Sequence, residues 1–320
     1  MKQTIHILIF IIATFAFASC RNGESKHMTI SNSKNFAIIA SVETTNFQIP
    51  DSINIKQWVN SKDEILCLTD KDKYTLSIIS IDSLKPLNSF GKRGHGPEEM
   101  LRPHVMASCN GDFSVLDNGN RRIYRIKDMQ LTKGKDISSS EAFNLPKIFR
   151  DSLVAYQEAT PDVLRLKIYN PATGAAQTLM SFPETEDADN SDMFDFVFNT
   201  HENFIVTSNI YADMFTIMEI GKDLKPVKVT TISGNSRFNL SRIIYSDIIC
   251  DDMIYLLCQE NVDVNDYSGY STIEIYEYSG KPVKKINMDI IADKIILDKG
   301  RQRIICTSPS DDDFHIMKIK

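Results

Sequence analysis

The sequence predicts an all-β fold assembled from a repeated four-stranded unit, and three observations predict it. Thr, Ile, Val, Tyr and Phe recur in short runs, the residue types that suit a pleated, half-buried surface. No sustained 3.6-residue apolar period follows the first twenty residues. A turn-and-strand tail recurs as Ser83-Leu-Lys-Pro-Leu, Asp223-Leu-Lys-Pro-Val and Ser279-Gly-Lys-Pro-Val, with weaker copies at Asp128-Met-Gln-Leu and Pro171-Ala-Thr-Gly. The copies stand about 45–55 residues apart, the length of a four-stranded propeller blade. A chain of 320 residues, 42% apolar and 24% charged, has the composition of a soluble globular protein. Its net charge of −6 carries no basic stripe, which argues against nucleic acid as a partner.

Met1–Ser19 has Lys2 followed by an apolar run from Ile5 to Ala18, broken only by His6 and Thr14. The run is short for a membrane span and has the shape of a signal peptide. It ends Phe17-Ala18-Ser19-Cys20, small residues before a cysteine. This resembles a bacterial lipobox, with Phe17 where leucine is usual, and implies lipidation of Cys20 and attachment to a membrane through that lipid. The alternative is an ordinary secretory signal with a chance cysteine. Residues 20–35 are polar and predict a lipid-anchored flexible tether, with the propeller spanning 36–320.

The blades follow in order. The first runs from Ile53 to Phe90, with strands at Glu64–Thr69, Tyr74–Ile81 and Pro86–Phe90. The second opens with a glycine-rich crossing, Gly91, Gly94, Gly96 and Pro97, and closes near Ile137. The glycines suit a backbone that turns with positive φ, and the proline stiffens it. A phosphate-cradling loop would open a long apolar helix, whereas a strand pattern follows here. After Val105–Ser108, Asn110-Gly111-Asp112 signals a hairpin. Phe113–Asp117 and Arg121–Ile126 are the next strands, joined by Asn118-Gly119-Asn120. The third blade spans Phe149–Met180, the fourth Phe194–Ile232, the fifth Ile243–Met288 and the sixth Ile291–Lys320. The sixth has room for three strands, Lys294–Asp298, Arg303–Thr307 and Phe314–Ile319. Phe36–Ile49 is a strand pattern with no blade of its own, and it is expected to supply the missing fourth strand and close a six-bladed ring.

Phe90, Gly91, Gly94, Gly96, Pro97, Glu99, Pro103, Gly111, Val115, Asp117, Asn120, Arg122 and Ile123 together resemble an NHL repeat. The departures are Glu98 in place of a second glycine and Met100 in place of the common phenylalanine. With its N-terminus, the whole chain resembles the TolB-like six-bladed propeller lipoproteins of Bacteroidota. The resemblance implies the fold and a place in the cell envelope, with the outer membrane favoured, and no established activity. The segment after Cys20 lacks the acidic run of surface-exported lipoproteins, which points to the periplasmic face.

Six cysteines are present, Cys20, Cys67, Cys109, Cys250, Cys258 and Cys306; with Cys20 lipidated an odd number remains, which does not build a full disulfide framework. Cys67, Cys258 and Cys306 fall near the end of the same strand in three blades, and Cys109 and Cys250 each end an inner strand. Buried packing explains them, with a Cys250–Cys258 bridge as the alternative. No Cys–His spacing suggests zinc.

Candidate binding loops are the acidic run containing Glu184, Glu186, Asp187, Asp189 and Asp192, and the stretch Asp263, Asn265 and Asp266. The first reads as a solvated crossover or a surface for a basic partner or cation. The second hints at a calcium loop, but Asp266 and Thr272 stand where an EF-hand needs glycine and glutamate. Asp311-Asp312-Asp313 reads as a hairpin. His95 and His104 flank Glu98 and Glu99, and nothing fixes them on one ligand. Asp117, Asn120 and Arg122 read as turn scaffolding. The sequence therefore predicts a propeller with no catalytic residues and no cofactor, presenting loops to an envelope protein or glycan. The alternative is a propeller hydrolase or lactonase with a divalent cation in the central tunnel, held by carboxylates such as Asp195, Asp247 and Asp293 at inner-strand starts.

Overall fold

Each run of β-forming residues is followed by a turn that returns the chain antiparallel to itself, so the chain folds as consecutive meanders. The computed structural model describes residues 26–31, 34–47, 55–61, 63–69, 75–96, 99–108, 110–160, 163–183, 196–234, 245–259, 269–311 and 313–319. Three short strands come first: β1 (Lys26–Ser31), β2 (Ile38–Ser41) and β3 (Thr45–Phe47). Blade one is β4 (Ile55–Asn60), β5 (Glu64–Thr69), β6 (Leu76–Ser80) and β7 (Pro86–Phe90). The crossing to blade two holds β8 (Lys92–Arg93) and β9 (Glu99–Met100), paired in parallel. Blade two is β10 (Pro103–Ala107), β11 (Phe113–Asp117), β12 (Arg122–Lys127) and β13 (Gln130–Asp136). Blade three is β14 (Asn144–Phe149), β15 (Leu153–Thr160), β16 (Val163–Tyr169) and β17 (Ala176–Pro183). Blade four is β18 (Phe196–His201), β19 (Phe204–Asn209), β20 (Met214–Ile220) and β21 (Pro226–Ser233). Blade five is β22 (Tyr245–Cys250), β23 (Ile254–Cys258), β24 (Thr272–Tyr276) and β25 (Pro282–Asn287). Blade six is β26 (Lys294–Asp298), β27 (Arg303–Thr307) and β28 (Phe314–Lys318), completed by β3.

The protein is thus an all-β, six-bladed propeller, with its core between the blades. In β5, Ile65 and Cys67 pack against Ile296, Ile305 and Phe314 of blade six, while Leu66 packs against Val105 and Phe113 of blade two. In β23, Leu256 and Cys258 face Val206 and Phe215 of blade four, while Leu257 faces Ile295 and Ile304 of blade six. Both faces of a second strand are buried, so its sequence reads as a continuous apolar run, as in EILCLT. Trp58 stacks on Phe314 at 5.2 Å, and Arg303 donates to the Ile81 carbonyl at 2.5 Å, joining the last blade to the first.

The closing strand is shorter than expected. Only β3 completes blade six, pairing Thr45 with Ile316 and Phe47 with Phe314. The rest of the predicted strand, β2, adds a fifth, parallel strand to blade five. β1, in the stretch whose polar composition predicts a tether, does the same for blade four by pairing with β21. Polar residues suffice there because an edge position asks only for backbone pairing. Blade three begins at Asn144 rather than Phe149; Pro146 and a register shift between Asn144 and Lys147 hide the strand pattern.

The recurring tails are the last hairpin of each blade. Pro86, Pro226 and Pro282 open the outer strands. Gly280 has φ +88°, and the other two copies place Leu84 and Leu224 in the same left-handed region. Leucine is strained there, and burial compensates: Leu84 lies in the core between blades six and one, and Leu224 packs between blades three and four.

Candidate functional site

The glycine-rich crossing is held by one carboxylate and one amide. Glu99 turns back and accepts from the Gly96 N–H (2.9 Å). A Cβ at Gly94 (φ +152°) would overlap the Glu99 carboxylate, and one at Gly96 would press on it, so a side chain at either position would displace Glu99 from this bond. Gly91, at φ +76°, begins the crossing. Asn120 donates to the carbonyls of Gly94 (3.1 Å) and Glu99 (2.9 Å). Asp117 is fully buried and accepts from the N–H groups of Leu101 (3.1 Å), Arg102 (2.8 Å) and Gly119 (3.0 Å). Arg122 pairs with Asp136 across β12 and β13 (2.7 Å). Glu99, Asn120 and Asp117 thus spend these hydrogen bonds on the backbone of the crossing and of blade two. His95 is exposed in the crossing, whereas His104 sits on β10 with Nδ1 3.3 Å from the Gln57 side-chain amide, so the two histidines serve different surroundings.

All six inner strands line a central cavity of about 590 Å³. It opens among the hairpins that join each inner strand to the second, near Asp63, Gly111, Glu202, Asp251 and Gly300. Neighbouring inner strands are tied by side chains. The Thr200 hydroxyl donates to the Ile148 carbonyl (2.6 Å), and the Asn199 amide donates to the Ile248 carbonyl (2.6 Å). Asp247 accepts from the N–H groups of Ile248 (2.9 Å) and Ile295 (3.0 Å), linking blades five and six.

Three charged side chains of the inner strands line this cavity: Lys147 on β14, Asp247 on β22 and Lys294 on β26. Blades three and six are diametrically opposed, so the two lysines approach from opposite walls. Burial pushes the Asp247 carboxyl above the usual carboxylate range, against the pull of Lys147, Lys294 and the two N–H groups. Burial pulls the Lys147 ammonium below the usual lysine range; Asp247 opposes this and the like charge of Lys294 adds to it. Neither lysine has a hydrogen-bond or ion-pair partner among the described residues.

Of the three carboxylates expected at the tunnel, only Asp247 is placed there. Asp293 accepts from the Thr307 hydroxyl (2.6 Å) and is not among the cavity-lining residues. Asp195 lies outside the described residues, as do Cys20, Pro97, Glu98, Cys109, Glu184, Glu186, Asp187, Asp189, Asp192, Asp263, Asn265, Asp266 and Asp312. Pro183 and Gln259, which precede the two candidate loops, stand at the opposite end of the ring from the cavity mouth. Among the described residues, no group of three or more His, Cys, Asp or Glu side chains is placed to hold a metal ion, and no helix is long and apolar enough to cross a membrane. Cys67, Cys250, Cys258 and Cys306 are free thiols. Cys250 pairs in register with Ile254 and Cys258 with Tyr245, at opposite ends of the β22–β23 hairpin, which rules out a bridge between them.

A ring of six such blades around a polar, charged cavity defines the class, a six-bladed β-propeller with a tunnel site. Solved structures resemble it in fold. A member of the DUF4221 family from Bacteroides vulgatus superposes with a TM-score of 0.57 at 11% identity, over 87% of this chain and 98% of that one. A protein from Bacteroides fragilis provisionally described as exported gives 0.54 at 11% identity, over 92% and 100%. A protein provisionally described as a gluconolactonase gives 0.53 at 8% identity, over 87% and 92%. At these identities the likeness is one of fold. No protein-family model matches the chain, and no curated protein matches it in sequence.

Proposed function

We propose that this chain is a non-catalytic, lipid-anchored propeller that binds a protein or glycan of the cell envelope at the mouth of its tunnel. Met1–Ser19 is the leader in this reading, Cys20 carries the lipid, and the ring stands on the periplasmic side of the outer membrane. The crossing from Gly91 to Asn120 is its NHL-like repeat, within a TolB-like lipoprotein.

The observation that carries the non-catalytic reading is the state of Asp247. Both its oxygens take backbone N–H groups, and two lysines share its cavity. A divalent cation asks for several convergent oxygens and is repelled by ammonium groups. That donor set disfavours the hydrolase or lactonase alternative, which needs the cation in the tunnel.

Two measurements test the proposal. Metal content of the purified mature protein, residues 21–320, is expected to be well below one divalent ion per chain. A stoichiometric ion lost on Asp247→Asn overturns the reading. Palmitate labelling in cells is expected for the full chain and not for Cys20→Ala; label retained by the variant refutes the anchor.

A further inference from the structure

We propose that the tunnel binds a small, singly charged, hydroxylated carboxylate, a sugar acid in chemical class, between Lys147 and Lys294. The inference rests on the glycan branch of the binding reading above and names the chemical class of the sugar unit that the tunnel would take.

Charge comes first. Lys147, Lys294 and Asp247 are the charged inner-strand side chains of the cavity wall, and their formal sum is one positive charge. A half-buried ammonium without a partner is costly. Among the described residues, the other cations at the mouth are already used. Lys299 pairs with Asp251 (2.7 Å) and Asp252 (2.8 Å), and Arg150 donates to the carbonyls of Ile220 and Gly221. Among the described residues, the two inner lysines are therefore the cations left for a ligand, and they stand on opposed blades.

Size and surroundings narrow the class. A cavity of about 590 Å³ lies within the range of small-molecule sites and far exceeds a bare oxyanion. Ser61, Asn60 and Ser108 add polar groups along the wall, suited to hydroxyls. At the mouth Asp251 is paired with Lys299, while Asp63 and Glu202 add negative charge that disfavours a multiply charged anion such as a polyphosphate. The arrangement selects one carboxylate attached to a hydroxylated body.

The test is isothermal calorimetry of the mature protein with sodium glucuronate, glucose and inorganic phosphate as probes. Glucuronate is expected to bind once per chain, with glucose and phosphate each at least about tenfold weaker, the loss expected when a charged hydrogen bond goes unmade. Lys147→Met and Lys294→Met are each expected to weaken glucuronate by about tenfold or more, at unchanged circular dichroism. Lys147→Arg keeps the charge and is expected to retain binding, which separates loss of charge from loss of fold. Affinity is also expected to fall with added salt. Glucose binding as well as glucuronate, phosphate binding more tightly, folded Lys→Met variants binding as before, or no glucuronate binding at all would each overturn the proposal. A stoichiometric metal ion at Asp247 would instead overturn the non-catalytic reading, so the two failures are distinct.

Discussion

Replacing Asp117 is the sharpest test of how blades one and two are joined. Asp117 is fully buried, and its carboxylate takes three backbone N–H groups, those of Leu101, Arg102 and Gly119 at 2.8–3.1 Å. Alanine removes all three acceptors at once. A hydrogen bond to a buried charged group is worth about 1.5–3 kcal/mol, but Arg102 and Gly119 are exposed, so water can replace part of the loss. About 1 kcal/mol for each freed donor gives about 3 kcal/mol for Asp117→Ala. Asp117→Asn keeps one carbonyl oxygen for Arg102 and Gly119 but sets its amide against the Leu101 N–H, for a loss of about 1–2 kcal/mol. Urea denaturation reads both losses as a lower midpoint at unchanged slope. Amide exchange should quicken first at Leu101, Arg102 and Gly119. A loss below about 1 kcal/mol for alanine, or asparagine costing more than alanine, would refute the scaffold argument.

Two further outcomes follow from buried groups. Lys34 reaches between blades four and five to Glu274 (3.1 Å) and Asp213, which also take the Tyr276 and Tyr245 hydroxyls; Lys285 stands 3.6 Å from Glu274 as well, so Lys34→Met is expected to cost about 3 kcal/mol in denaturant melts, the low end for breaking a buried ion pair. Burial alone would lower the Lys34 pKa, but Glu274 and Asp213 carry it above the usual lysine range, so this stabilisation is complete below that range and is lost only as strongly alkaline pH passes through the raised value. A melting temperature that drops between pH 8 and 10 in the wild type but not in Lys34→Met would contradict that sign. Burial pushes the Cys67 and Cys306 thiols well above the usual range, so a thiol reagent is expected to label them slowly in the native protein and promptly in urea; prompt native labelling of either would show that the inter-blade cores open.

Strands buried on both faces were the most legible in the sequence. Lys294–Asp298 and Arg303–Thr307 have the boundaries that their apolar runs predict. β1 was hidden because KHMTIS is short and mostly polar, with only Met28 and Ile30 apolar, and what makes it a strand is the edge of β21, which lies about 200 residues away in the chain. Pro146 masked the start of blade three in the same local way. The tunnel lysines were hidden for a different reason. One lysine on a strand reads as a solvated face, and Lys147 and Lys294 come to line one cavity only when the ring closes and sets blades three and six opposite each other. Of the carboxylates suggested for the tunnel, Asp247 lines the cavity, whereas Asp293 is turned to Thr307 and away from it.

The path of β1, β2 and β3 also has a consequence for an anchored chain. The three strands run along the outer edges of blades four, five and six in turn, with Lys34 between the first two. Cys20 precedes Lys26 by six residues, and six extended residues reach about 20 Å at most. A lipid on Cys20 would therefore hold the rim of blade four near the bilayer and keep blade one, across the ring, away from it. Val227 on β21 and Leu87 on β7 are both exposed outer-strand residues, and they report the two rims. Fluorophores at Val227→Cys and Leu87→Cys, in lipidated protein on vesicles with a headgroup acceptor, should show markedly stronger transfer from blade four. Equal transfer from both positions would mean that the strap does not orient the ring, or that the lipid is attached elsewhere.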